Sequence, residues 1–163
     1  MGRRVVVRII GIASTTKGFA YAVTEGSKRL VSWGLLRMPS RRVPEALDDL
    51  FSRMRPLFVS FDGVAANKKR IRGRLFKHFL ATTCTSRKLM LLSTECRHAV
   101  DAGRKGPLTK WDIASSLAQE FRELAHKLPE KRREWQSEDD RMGIFMALAT
   151  AVGAWRNFAE GVP

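Results

Sequence analysis

Two kinds of charged residue in this chain are spaced to do chemistry on a polyanion. Cations crowd one stretch: Lys68, Lys69, Arg70, Arg72, Arg74 and Lys77. From Gly63 to Val100 there are nine Lys/Arg and a single acid, Glu95. A block of one sign repels itself, which favours a phosphate-facing role over a merely solvated helix face. Arg97, His98, Arg104, Lys105 and Lys110 form a second basic group, and Lys17 sits in a small hydroxyl-rich turn, Ser14-Thr15-Thr16-Lys17-Gly18. Contacts of this kind position a protein on a phosphate backbone without reading bases. The carboxylates that could hold a hard divalent cation are fewer. Asp62 ends an apolar run and precedes Gly63, while Glu138, Asp139 and Asp140 follow Ser137. Each has a plainer role too. Asp62 can start a turn, and acids after Ser137 suit a helix's first turn.

The elements that must position these residues follow from the pattern. The first 38 residues or so read as three strands, with Gly18 and Glu25-Gly26-Ser27 as turns. Pro44 to Met54 reads as a helix started by proline and stopped by Pro56. Leu57 to Phe61 reads as a buried strand. Asn67 to Thr82 reads as a helix whose inward stripe is Ile71, Leu75 and Phe79, leaving the cations outward. Aromatics at that spacing, Phe76 and Phe79, are better assigned to packing than to wedging into a ligand. Lys88 to Ser93 is a further strand, and Val100 to Leu108 a basic, Gly-containing loop. Thr109 and Asp112 have capping-box spacing, opening a helix to about Leu128 on the stripe Ile113, Leu117, Phe121, Leu124. After a charged connector from Glu130 to Glu134, Ser137 caps a last helix to about Phe158. Its Ala147, Ala149, Ala151 and Gly153 allow close approach to a sheet. A strand meander followed by strand–helix units implies a mixed sheet with helices on its faces, within a single domain over 1–163.

The 163 residues carry 30 Lys+Arg against 16 Asp+Glu, a net charge of +14. Such an excess points to a polyanionic partner, with a membrane surface as the rival. No apolar run approaches 18 residues and no signal-peptide pattern is present, so an intracellular location is expected. Cys84 and Cys96 have neither zinc nor redox spacing, and His78, His98 and His126 complete no metal pattern. They are expected as buried thiols.

The stretch from Val5 to Val23 carries a resemblance. Gly11-Ile12-Ala13 ends an apolar strand and runs into the Ser/Thr-Lys turn. It resembles the opening of the RuvC-like Holliday junction resolvases of the ribonuclease H superfamily, where a Gly-Ile-Asp strand carries the first metal-binding acid. The resemblance covers nearly the whole element order. It implies an α/β ribonuclease H-like fold with a mixed five-stranded sheet, an antiparallel three-strand meander plus parallel strands, flanked by helices. It also implies an Mg²⁺- or Mn²⁺-dependent endonuclease acting on branched DNA as a homodimer, with two ions held by acids that converge in space.

Residue by residue, Ala13 occupies the position of the first acid and cannot bind metal. Asp62 matches the second position, where Glu is usual. Asp140, then Asp139, then Glu138 match the last, though no clean pair one helical turn apart is present. Lys110 best matches the basic residues that approach the scissile phosphate, with Arg97 and Lys17 as further candidates. Two explanations of Ala13 stand open. A deliberate Asp→Ala substitution would be reversed by Ala13→Asp, restoring Mg²⁺- or Mn²⁺-dependent cleavage. A natural relative would have lost catalysis and kept DNA or RNA binding, as a silent module of a larger assembly. A basic interaction protein unrelated to nucleases is supported by charge alone.

Overall fold

The computed structural model describes residues 6–100, 108–133 and 136–159. Its sheet is mixed and five-stranded: β1 (Arg8–Thr15), β2 (Gly18–Glu25), β3 (Leu30–Arg37), β4 (Phe58–Phe61) and β5 (Met90–Ser93). Spatial order is β3-β2-β1-β4-β5. β1, β2 and β3 pair antiparallel, while β4 runs parallel to β1 and β5 parallel to β4. This is the mixed five-stranded sheet, an antiparallel meander plus parallel strands, that the resemblance implied.

Among the described residues, five α-helices cover the two faces: α1 (Val43–Met54), α2 (Gly63–Lys68), α3 (Arg70–Ser86), α4 (Lys110–Glu120) and α5 (Met142–Ala159). β1 is apolar from Ile9 to Ala13 because it is central and covered on both sides. Its Ile10 and Ile12 enter the core under α1 and α3, with Leu47, Leu50, Phe51, Phe76 and Leu80. Ile9 faces the other way, onto Ala151 and Ala154 of α5. Ala13 also packs on that side, at the edge of the α4–α5 core. α5 lies so close to β1 that a Cβ on Gly11 would stand 1.8 Å from the Ala147 carbonyl oxygen. The small residues of α5 make that approach possible. A buried hydroxyl chain fastens the same helix: Ser60 Oγ and Thr150 Oγ1 lie 2.8 Å apart, and Thr150 Oγ1 donates to the Thr94 carbonyl at 2.8 Å. None of the described helices is long and apolar enough to cross a membrane.

Three expectations need correction. The helix expected over Asn67–Thr82 is two helices that meet at Lys69, and its inward stripe is displaced. Ile71 is 81% exposed and Leu75 40% exposed, whereas Phe76, Leu80 and Cys84 are buried. The phase is set by Gly73, where a Cβ would stand 1.9 Å from the Ala66 carbonyl oxygen of α2. That close crossing turns Gly73, Phe76 and Leu80 inward and rotates the neighbouring stripe toward solvent. The second correction concerns α4. Its capping box forms, with Thr109 N–H donating to Asp112 and Asp112 N–H to Thr109. The helix stops at Glu120, and a 3-10 turn (Arg122–Lys127) continues the chain. Ile113, Leu117, Phe121 and Leu124 stay buried across the break.

The last helix starts at Met142, not after Ser137, so its first turn holds none of the three acids. Asp139 accepts the Arg141 N–H at 2.9 Å, a local side-chain bond of the kind that competes with helix. Met142 and Gly143 then bond back to Asp139 and Asp140 carbonyls in tight turns.

Candidate functional site

β1 and β4 end side by side, and the carboxyl ends of parallel strands are where open α/β sheets place their sites. A cleft of about 630 Å³ opens there. Ala13 and Ser14 of β1, Asp62 after β4, and Lys69 between α2 and α3 form one wall. Cys96, Lys110 at the start of α4, and Glu138, Asp139 and Asp140 before α5 complete it. The acids expected to converge therefore line the same cleft as Ala13. What they do there differs from what a metal site asks.

Asp62 is engaged by backbone on both oxygens. Oδ1 accepts the Ala65 N–H at 3.0 Å, capping α2, and Oδ2 accepts the Cys96 N–H at 3.0 Å. It holds the start of α2 and the 3-10 turn at Cys96–Ala99 in place. Gly63 is small because Ser93 Oγ would stand 2.7 Å from any Cβ there. Cys96 is buried against the Met146 carbonyl, its thiol pushed well up by burial and then by the charge of Asp62. Cys84 is pushed up to about 11 by burial alone. Both cysteines are free thiols, as expected.

The other three acids are paired with cations. Glu138 receives Lys110 Nζ at 3.1 Å. Asp139 receives Arg141 at 2.7 Å, and that guanidinium holds its carboxyl below the usual range. Asp140 lies 3.8 Å from Arg37 of β3. Asp62 and the 138–140 acids line one cleft, yet the described residues contain no group of three or more His, Cys, Asp or Glu side chains arranged to hold a metal ion. The residues present do not fit a pair of Mg²⁺ ions: Ala13 stands where the first acid was expected, each Asp62 oxygen already accepts a backbone N–H, and the remaining acids have cations beside them.

A lysine reaches into the space instead. Lys69 Nζ donates to the Ser14 carbonyl oxygen and, at 3.1 Å, to Ser14 Oγ. Burial holds its ammonium below the ordinary lysine range, and the charge of Lys110 acts in the same direction, with Glu138 opposing. Outside the cleft floor, Lys68, Arg72, Arg74, Lys77 and Arg97 are exposed, as is Lys17 in the β1–β2 turn. Arg72 donates to the Thr16 carbonyl at 3.3 Å, and Arg97 is paired with Glu95. Arg70 opens α3. Lys105, with Arg104, lies outside the described residues. Arg37 and Arg141 were not legible as site residues. Each is a single arginine in an unremarkable segment, and only the fold brings it to an acid. In the sequence Lys69 is one more cation of a run, since nothing in the spacing marks it as the one that turns inward.

No family model and no curated protein matches the sequence. Among solved structures, RuvC of Thermus thermophilus matches at a TM-score of 0.68 with 14% identity, over 95% of this chain and 97% of that one. The T. thermophilus RuvC in complex with Holliday junction substrate matches at 0.64 with 15% identity, over 96% and 97%. The fold is that of RuvC. At such identity the likeness carries architecture, and the chemistry must be argued from the side chains.

Proposed function

We propose that this chain binds branched DNA, four-way junctions foremost, and does not cut it. The observation that carries the reading is the cleft at the ends of β1 and β4. It lies where a RuvC-like fold keeps its site, beneath a rim of exposed cations, and its acids are already committed to backbone or to arginine and lysine. The neighbouring RuvC structure holds a Holliday junction, which supports branched DNA as the ligand class. The excess of 30 basic over 16 acidic residues supplies the counterion-release term that drives phosphate binding.

The committed acids also favour a natural relative over a deliberately disabled nuclease. A single Asp→Ala change would leave the other ligands poised for metal. Here Lys69 bonds to the residue next to Ala13, and Asp62 works as a helix cap. Residues 1–163 act in this reading as one domain that pairs into a homodimer, one cleft for each of two strands, to be checked by sedimentation.

The test compares a synthetic four-way junction with matched linear duplex, at one salt concentration, and follows end-labelled junction in Mg²⁺ and in Mn²⁺. Tighter junction binding with the DNA left intact is the expected result. Equal affinity for the two DNAs counts against the junction reading, and site-specific nicking overturns the silent one.

A further inference from the structure

We infer that Lys69 and Lys110 hold a backbone phosphate in the cleft, in the role that divalent ions play in a two-metal nuclease. The inference deepens the branched-DNA reading above and rests on it. Among the residues lining the cleft, Asp62, Glu95, Glu138, Asp139 and Asp140 are acids. Five carboxylates alone would repel a phosphodiester, and in two-metal enzymes the ions cancel that repulsion and clamp the oxygens. Here the cleft carries its own cations. Lys110, half exposed, stands on Glu138 from the α4 wall. Lys69 comes from the opposite wall and is partly buried.

Lys69 is the more telling of the two. Its partners are the two oxygens of Ser14, both formally neutral, and it takes part in none of the ion pairs among the described residues. A desolvated ammonium is costly without a counter-charge. Ser14 satisfies its hydrogen bonds but leaves its charge uncancelled. Lys110 is near enough to repel it and Glu138 near enough to attract it, so the two ammonium groups share one electrostatic neighbourhood. A phosphate there meets both charges. It needs no metal, because the neutralising charge is covalently part of the chain. Lys68, Arg72 and Arg97, exposed at the rim, would meet flanking phosphates.

The experiment titrates the full-length chain with a synthetic four-way junction over a range of salt concentrations, in Mg²⁺ and in EDTA at matched ionic strength. The expected affinity is the same in both. Lys69→Gln and Lys110→Gln should each lower the log–log salt slope by about one, the signature of a lost phosphate contact. Thermal melts accompany both variants. Lys110 is surface-exposed, so its variant carries the test if Lys69→Gln proves unstable. Lys69→Arg, which keeps the charge, should keep the wild-type slope. Slopes unchanged in a folded variant overturn the inference, since a lysine that merely braces Ser14 would alter the melt and not the slope. Binding that collapses in EDTA and returns with Mg²⁺ overturns it too, while leaving the branched-DNA reading intact. Failure to bind in either buffer overturns both.

Discussion

The two walls of the cleft are built by different physics. The strand wall, β1 and β4 with α5 behind them, is held by burial and backbone geometry. Gly11 touches the α5 main chain, Ser60 and Thr150 share a buried hydroxyl contact, and Asp62 is fixed by two N–H donors. The helix wall, from Lys110 to Glu138, Asp139 and Asp140, is held by partly exposed ion pairs. Exposed pairs contribute from nothing to about 1 kcal/mol each. One wall is therefore a fixed floor. The other is a set of charges that can exchange partners when a polyanion arrives.

The contrast sets an order of expected effects. Gly11→Ala should be the most damaging, because a Cβ 1.8 Å from the Ala147 oxygen forces β1 and α5 apart. A loss of about 3 kcal/mol or more is expected, read from chemical denaturation. Thr150→Val keeps the volume but removes the donor to the Thr94 carbonyl and leaves Ser60 Oγ only the Thr150 main-chain carbonyl, at a cost of about 1–3 kcal/mol by the same measurement. Asp62→Ala removes the α2 cap and should cost about 1–2 kcal/mol, with junction binding retained in the absence of divalent ions. A large Mg²⁺-dependent loss of binding in that variant would instead mark Asp62 as a metal ligand.

On the helix wall, Glu138→Gln is expected to change stability by no more than about 0.5 kcal/mol. It should tighten junction binding, because Lys110 loses its internal competitor for phosphate. The smallest effect is expected from Ala13→Asp in a cleavage assay. A restored acid at this position would find Lys69 bonded to the adjacent Ser14, and the junction should remain uncut in Mg²⁺ and Mn²⁺. Restored cutting would return the chain to the disabled-nuclease explanation.

Much of the architecture follows from local rules. The meander, the apolar β1, the Thr109–Asp112 cap and the small-faced last helix are each written in short-range spacing, and period and capping chemistry act over a few residues. The α3 stripe was misread because Ile71, Leu75, Phe79 and Gly73, Phe76, Leu80 are both helical periods. Only the crossing of α2 at Gly73 selects between them. Likewise, the start of α5 turned on a bond that the Arg141 N–H donates to the Asp139 carboxylate, which competes with the capping pattern after Ser137.

The opening Gly11-Ile12-Ala13 strand and the charge of +14 were sufficient to suggest a RuvC-like fold and a phosphate-bearing partner. They act through local pattern and total charge, which need no coordinates. The state of each acid was another matter. Whether Asp62 caps a helix or holds a metal, and whether Lys69 points outward or into the cleft beside Ala13, depends on partners far away in the chain. Ser14 and Lys69 are 55 residues apart, and Lys110 and Glu138 are 28. Electrostatic roles are set by distance in space, and only folding fixes that distance.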